Sequence, residues 1–370
     1  MSLTAPNTTS SIPTETRTKR TRSGLRVFWS TIPSQDHPDS NEDAVLIDTV
    51  LDIAAVFDGV GGYEGGEVAS RIAAHAVLAV WRRQSETAKD LPTLRAVMRE
   101  SLLEADRQVR AAVERQPDLT GMATTAIVTK IWETPDHRRL LLHGHVGDSR
   151  LYVLRARGSL DRVTIDDGIL STHVALGLMT EEEALMIDQA ESWNDLDDRQ
   201  KRYFYQRGLI TQAIGGRGEP DVHVSEVELY PGDRVLVCSD GIHDNLTEAE
   251  ITHLLRKPGR NDGDTLVKAA RRRAQRGLQA TLRSKPDDMS AVVVDVAPAP
   301  LVSAQPRAGK TQPTRRARTT AKTKPAPKTA PTTKAKTAAG TGSRPKAKTG
   351  AAKKSAKEAR PKASSSAPTK

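Results

Sequence analysis

The sequence predicts an α+β fold: a β-sandwich of two antiparallel sheets with a helix pair outside each. Three observations carry this. Strand-like runs come in groups, and the groups are broken by helix pairs rather than alternating with single helices. The helical segments place apolar residues at helical spacing, so each has one face to bury. The two ends of the chain differ in composition from its middle, which confines the fold to about 25–296.

The elements follow in order. LRVFWSTI, AVLID and IAAVF are short runs rich in β-branched and aromatic residues, and read as strands. A helix over 66–84 follows, with Val68, Ile72, Ala76 and Ala79 on one face, then a second over 93–114 with Leu94, Val97, Leu102, Ala105 and Val109. Next come the strands TTAIVTKIW, RLLLHGHV, RLYVLRA and DRVTID. A mostly polar stretch, 168–208, carries TEEEALMIDQ and DDRQKRYFYQ as short helices. VHVSEVEL and DRVLVCSD are strands, TEAEITHLLRK and DTLVKAARRRAQRGLQATLR a closing helix pair, and SAVVVDV a last strand.

The ends are of another kind. Residues 1–24 are polar and Thr/Ser-rich, and are expected to be a disordered leader. The tail, 297–370, holds 19 of the 56 Lys+Arg, a single acid, Glu358, ten of the 21 prolines and no aromatic residue. It cannot bury enough apolar surface to offset chain entropy, and is expected to stay unfolded. The net charge of +10 therefore averages two objects, a tail of +18 and a body of 37 basic against 45 acidic residues. Such a tail suits non-specific contact with nucleic acid or an acidic partner, with a solubilising tether as the bland alternative. The lone Cys238 excludes a disulfide framework and a cysteine-rich zinc site. No apolar run reaches the roughly 18 residues that cross a bilayer, and the first residues lack a signal-like apolar region. The expectation is a cytoplasmic monomer with no membrane contact.

The acids carry the chemistry. Asp58 ends IAAVFD before Gly59-Val60-Gly61-Gly62, Asp240 ends RVLVCSD before Gly241, and Asp148 follows LLLHGHVG. Asp287 and Asp288 precede the last strand, and Glu42 and Asp43 precede AVLID. Taken singly, an Asp before Gly is more often a turn residue than a ligand. Jointly, acids at so many strand ends converge on one rim, where they cannot all ionise without a cation. Oxygen donors with no cysteine set and no histidine pair at metal spacing select manganese or magnesium over zinc. Gly59 to Gly66 lacks the Gly-Lys-Ser/Thr of a P-loop, so a nucleotide-binding glycine loop is rejected.

These residues, Asn41-Glu42-Asp43, Phe57 to Gly62, Ala123-Thr124-Thr125, Gly147-Asp148-Ser149-Arg150, Cys238-Ser239-Asp240-Gly241 and Asp287-Asp288-Met289-Ser290, resemble the metal-dependent serine/threonine protein phosphatases, the PPM or type 2C family, in the family's order. The resemblance implies the same α-β-β-α sandwich and hydrolysis of phosphoserine or phosphothreonine on proteins, opposing a Ser/Thr kinase. It implies two core metal sites and a weaker third. Asp58 would bridge two ions, with the Gly59 carbonyl on the second. Asp240 and Asp287 would hold the first, and Glu42 and Asp43 the waters of the second. Asp148, Asp240 and Asp244 look like the third site. Asp58, Asp240 and Asp287 are then the catalytic set. In the family's scheme, ions roughly 3.5–4 Å apart generate a hydroxide that attacks phosphorus in line.

Two departures stand out. Pro38 occupies the position where many members carry a phosphate-gripping arginine, for which Arg26 is one possible substitute. Val60 stands where eukaryotic members often have histidine, a lean to the bacterial type. The second reading is an inactive pseudo-phosphatase that binds phosphoproteins, with the basic tail as a tether. The stretch 168–208 lies where the family carries a flap, and reads equally as a substrate-selecting flap or a surface helical insertion. His143, His145 and His243 read as satisfied or exposed histidines, and Cys238 as a small buried apolar residue rather than a nucleophile.

Overall fold

Thirteen strands and eight α-helices are present among the described residues of the computed structural model, which are 17–60, 65–256 and 262–296. The strands are β1 (Arg17–Arg20), β2 (Arg26–Ile32), β3 (Ala44–Asp48), β4 (Ile53–Phe57), β5 (Gly59–Val60), β6 (Ala123–Thr124), β7 (Ala126–Glu133), β8 (Arg139–Val146), β9 (Arg150–Leu154), β10 (Leu160–Arg162), β11 (His223–Leu229), β12 (Arg234–Cys238) and β13 (Met289–Asp295). The helices are α1 (Gly65–Gln84), α2 (Leu91–Arg115), α3 (Ile169–Ala175), α4 (Glu181–Gln189), α5 (Asp198–Gln206), α6 (Asp240–His243), α7 (Glu248–Arg256) and α8 (Asp262–Ala274). The described residues fall within one compact unit, Met1–Ser303. The expected disorder of 1–16 and of the tail, and the glycines Gly61 and Gly62, lie outside them.

Two sheets form the sandwich, one in the order β1-β2-β13-β12-β9-β10 and one in the order β11-β8-β7-β4-β3, with antiparallel pairing throughout. Helices α1 and α2 cover the five-stranded sheet. They bury Ala73, Val77, Trp81, Val97, Met98 and Leu102 against Ala55, Phe57, Val128 and Leu142. The Asp90 carboxylate caps α2 by accepting from Thr93 N at 2.8 Å, and Pro92 starts its first turn. Helices α7 and α8 cover the other sheet, with Leu255, Leu266, Val267 and Ala270 on Phe28, Leu236 and Val293. Between the sheets lie Val27, Val56, Ile127, Leu141, Leu151, Val237 and Val292. Adjacent residues such as Val292 and Val293 thus point to opposite layers, both apolar, because the strand period is two. That is why the central strands read as unbroken hydrophobic runs.

Several boundaries depart from expectation. The leader is shorter than 1–24, since Arg17–Arg20 forms an edge strand paired with β2 from Arg17↔Trp29 to Arg20↔Arg26. Its residues are polar, so it owes its place to the backbone ladder and to Lys19 lying 5.5 Å from the Trp29 ring. The helix expected over 264–283 stops at Ala274, and Gly277 at φ +76° turns the chain away. Arg283, expected on that helix, is instead fully buried and donates to the carbonyls of Asp188, Ala190, His243 and Leu246. The stretch 168–208 carries α3 besides the two expected helices, and Met179, Ile187, Leu196 and Phe204 form its own small core with Leu282.

Candidate functional site

The pairing registers set the site's position. In one sheet Ile32 pairs with Met289, and Cys238 pairs with both Ala291 and Arg150. In the other, Ala44 pairs with Phe57, and Ala126 with Val146. The residues just beyond these ends are Glu42 and Asp43, Asp58, Asp148, Asp240 and Asp287, so one rim collects them.

Asp58 is fixed through its backbone. Its carbonyl accepts from Thr125 N at 2.8 Å and from Thr124 Oγ1 at 2.9 Å, while its own N–H donates to Thr125 Oγ1 at 3.2 Å. Next to it, a Cβ on Gly59 would lie 2.3 Å from the Gly66 carbonyl oxygen and 2.5 Å from that of Glu42. Only glycine lets the Asp58 loop, the Glu42 loop and the start of α1 meet. The Asp58 carboxylate accepts from Asp240 N at 3.4 Å, joining the two sheets' rims. Gly241 is equally constrained, since a Cβ there would meet the Asp288 carbonyl.

Asp43 is buried, and its Oδ2 accepts from Ser239 Oγ at 2.7 Å. Asp288, seen in the sequence only as part of a motif, anchors the neighbouring loop. Its two oxygens accept from Ser34 N and Glu42 N, both at 2.6 Å. Glu42 sits at the margin, with Asp288, His37 and Glu67 as its charged neighbours.

The electrostatics are those of crowded acids. Burial and then the charges of Asp43, Asp240, Asp287 and Asp148 push the Asp58 carboxyl well above the usual range. Asp43 is raised by burial and by Asp288, and Asp148 by burial and by Asp240. Burial pushes Asp240 up to about 7, with Lys285 opposing and Asp287 and Asp244 adding to the rise. One oxygen each of Asp43 and Asp240 is buried with no hydrogen-bond partner. A hard divalent cation would relieve both the mutual repulsion and the unpartnered oxygens, so these residues fit manganese or magnesium. Among the described residues, however, no three His, Cys, Asp or Glu side chains stand ready as a metal cage.

Lys285 is part of the reason, and the sequence reading missed it. Its Nζ contacts Asp240 Oδ2 and lies 3.0 Å from both Asp244 Oδ2 and Asp287 Oδ2. Burial works against its charge, but Asp240, Asp244 and Asp287 raise it well above the usual lysine range. Asp244, expected as a third-site ligand beside Asp148 and Asp240, is already paired. Its Oδ1 faces Arg207 Nε at 3.3 Å, and, against its burial, Arg207 and Lys285 hold its carboxyl well below the usual range.

Arg26 is no substitute for the arginine absent at Pro38. It is paired with Asp295 Oδ2 at 2.7 Å, at the end of β13 remote from the rim, about 20 Å along the strand from Met289. Basic groups at the site include Lys285, Arg207 and His37, whose Nδ1 is 3.7 Å from Asp288 Oδ1. Cys238 is fully buried at the end of β12, and that burial pushes its thiol far up, which argues against a thiolate nucleophile. His243 is buried with Nε2 3.2 Å from the Asp148 carbonyl. His143 and His145 are buried and stack toward His223; His145 Nε2 lies 2.9 Å from the Ile165 carbonyl, while the Nδ1 atoms of both have no hydrogen-bond partner.

The insertion 168–208 reaches this rim at its end. The Arg207 guanidinium packs over Phe204, 3.9 Å from the ring centre, while facing Asp244. Inside the insertion, buried Asp188 takes both Arg150 (2.8 Å) and Arg162 (3.2 Å), and Arg150 also grips Asp166 at 2.6 Å. Arg150 thus locks the insertion to β9.

Known proteins resemble this chain in sequence and fold. The family model described as Protein phosphatase 2C matches residues 32–284. The serine/threonine protein phosphatase PstP of Mycobacterium tuberculosis is 33% identical over 257 residues, 70% of this chain and 42% of PstP. The chain thus spans under half the length of that relative. The serine/threonine phosphatase stp of Listeria monocytogenes is 25% identical over 206 residues, 55% of this chain and 71% of that protein. The crystal structure of the M. tuberculosis serine/threonine phosphatase PstP/Ppp superposes with TM-score 0.56 at 29% identity, covering 74% of this chain and 99% of that one. A structure of the PstP catalytic domain with two manganese ions gives 0.55 at 29% identity, covering 74% and 98%. The match across more than half of the chain, on a sandwich whose acids meet at one rim, makes this chain a member of the Protein phosphatase 2C family.

Proposed function

We propose that this chain is a metal-dependent protein phosphatase that hydrolyses phosphoserine and phosphothreonine on protein substrates, opposing a Ser/Thr kinase. The observation that carries the reading is the meeting of Asp58, Asp240 and Asp287 from separate strand ends, with Asp240 and Asp287 raising the Asp58 carboxyl and Asp287 raising that of Asp240. Manganese or magnesium, held by Asp58, Asp240 and Asp287 with Asp43 and Glu42 behind them, would activate water and neutralise phosphate charge. The chain's own residues set the stage for this. Thr124 and Thr125 hold the Asp58 backbone, Ser239 aims Asp43, and Asp288 ties the Glu42 loop to the rim. Arg207, at the end of the insertion, reaches the rim at Asp244, which supports a flap role for 168–208 beside the site.

The pseudo-phosphatase alternative has less support, because every acid that a decayed site would be expected to lose is present. The basic tail is proposed to touch nucleic acid or acidic partners through charge alone, and the cytoplasm is the proposed setting. Among the described residues no helix is long and apolar enough to cross a membrane. The test is phosphate release from a phosphothreonine peptide by the full chain, with manganese and then with excess EDTA. Release with manganese and none with chelator is expected. Full release in excess chelator would overturn the proposal.

A further inference from the structure

We infer that the Lys285 ammonium is a built-in cation standing where a third divalent ion would sit, so that the loaded protein holds two ions rather than three. The inference rests on the phosphatase reading above and adds to it a feature of this chain. Nζ touches three carboxylates at once, those of Asp240, Asp244 and Asp287. Asp240 and Asp244 belong to the set expected at the third site, and Asp287, with Asp240, to that expected at the first. Arg207 takes the other oxygen of Asp244. Of the three acids expected at the third site, Asp148 alone is then left without an ion pair among the described residues, too small a set to draw a weakly held divalent ion. No ion pair reaches Asp43 or Asp58 among the described residues, so the core of the site keeps its demand for cations.

Lys285 is also held in place, unlike a solvated surface lysine. Its backbone N–H donates to Asn245 Oδ1 at 3.0 Å, and its carbonyl accepts from Asn245 Nδ2 at 2.8 Å. The same Nδ2 donates to the Gly241 carbonyl at 2.9 Å. The amide of Asn245 therefore locks the Lys285 loop to the turn that carries Asp240 and Asp244. The side chain is one third exposed, so an ion entering from solvent would have to displace the ammonium from all three carboxylates.

The experiment counts manganese per chain by equilibrium dialysis on the full-length protein. It compares the parent with Lys285→Ala and with Lys285→Arg, after circular dichroism has shown each to be folded. The parent and Lys285→Arg are expected to saturate at two ions, and Lys285→Ala to gain one further, weaker ion. A third ion on the parent would overturn the inference while leaving the phosphatase reading intact, and so would a count of two on a folded Lys285→Ala. A parent that binds no manganese at all would sink both, and would be told apart by that outcome alone.

Discussion

The hydroxyl of Ser239 donates to Asp43 Oδ2 at 2.7 Å, while its oxygen accepts from Ser290 N at 3.0 Å. One small side chain of the six-stranded sheet thereby holds a buried acid of the other. Ser239→Ala removes a donor to a buried carboxylate and should destabilise the fold by about 1–3 kcal/mol. Urea denaturation at neutral pH measures it. Manganese affinity should fall with it, because Asp43 loses the contact that aims it. Unchanged stability would show that the hydrogen bond contributes nothing.

His143 should make stability depend on pH. Burial, and then the charge of His145, lowers its pKa from 6.5 to about 4. The unfolded chain therefore takes a proton as pH falls through 6.5, and the folded chain only near 4. The His143 contribution is flat above 6.5 and falls across that window, by roughly 3 kcal/mol at its acid end. His143→Gln should lose this part of the slope, leaving that of the other buried histidines. Chemical denaturation at a series of pH values compares the two slopes, and equal slopes would refute the assignment.

Asp188 joins the insertion to the body through Arg150 and Arg162. Although burial opposes it, the Arg150 charge holds the Asp188 carboxyl well below the usual range. Asp188→Ala strands a buried guanidinium with only Asp166, and should cost about 3–5 kcal/mol. Proteolysis should then cut within 168–208 before the rest of the chain. A variant as resistant as the parent would mean the insertion is held by its own core alone.

The tail prediction rests on composition. Its 19 basic residues and absent aromatics suit phosphate neutralisation but not base stacking. Deleting 297–370 should abolish binding to DNA or RNA in an anisotropy titration, and leave turnover of a small phosphoester nearly unchanged. The intact chain's affinity should fall steeply between low and physiological salt. Binding that survives the deletion would place the nucleic-acid site on the acidic body.

The sandwich was legible because its central strands are buried on both faces, and β8 runs over the expected 139–146. The edge strand β1 was not legible, since a ladder of backbone bonds leaves no apolar pattern. Arg283 was counted on a helix because charged residues at its spacing look like a solvated face. Only the fold shows four carbonyls around it. The acids at strand ends could be read as one cluster from their positions alone. Lys285 could not, because a lysine in a loop carries no signal of the three carboxylates that surround it. For the same reason Asp244 looked like an open ligand, although its counter-ions Arg207 and Lys285 come from distant parts of the chain.

Asp58 is proposed to organise the cations on which turnover depends. Manganese titration calorimetry on Asp58→Asn and on Asp148→Asn, paired with p-nitrophenyl phosphate turnover, tests it most directly. Asp58→Asn should lose tight manganese binding and turnover together, while Asp148→Asn, outside the two core sites, should keep the binding. An Asp58→Asn protein that is folded and binds manganese like its parent would contradict the account.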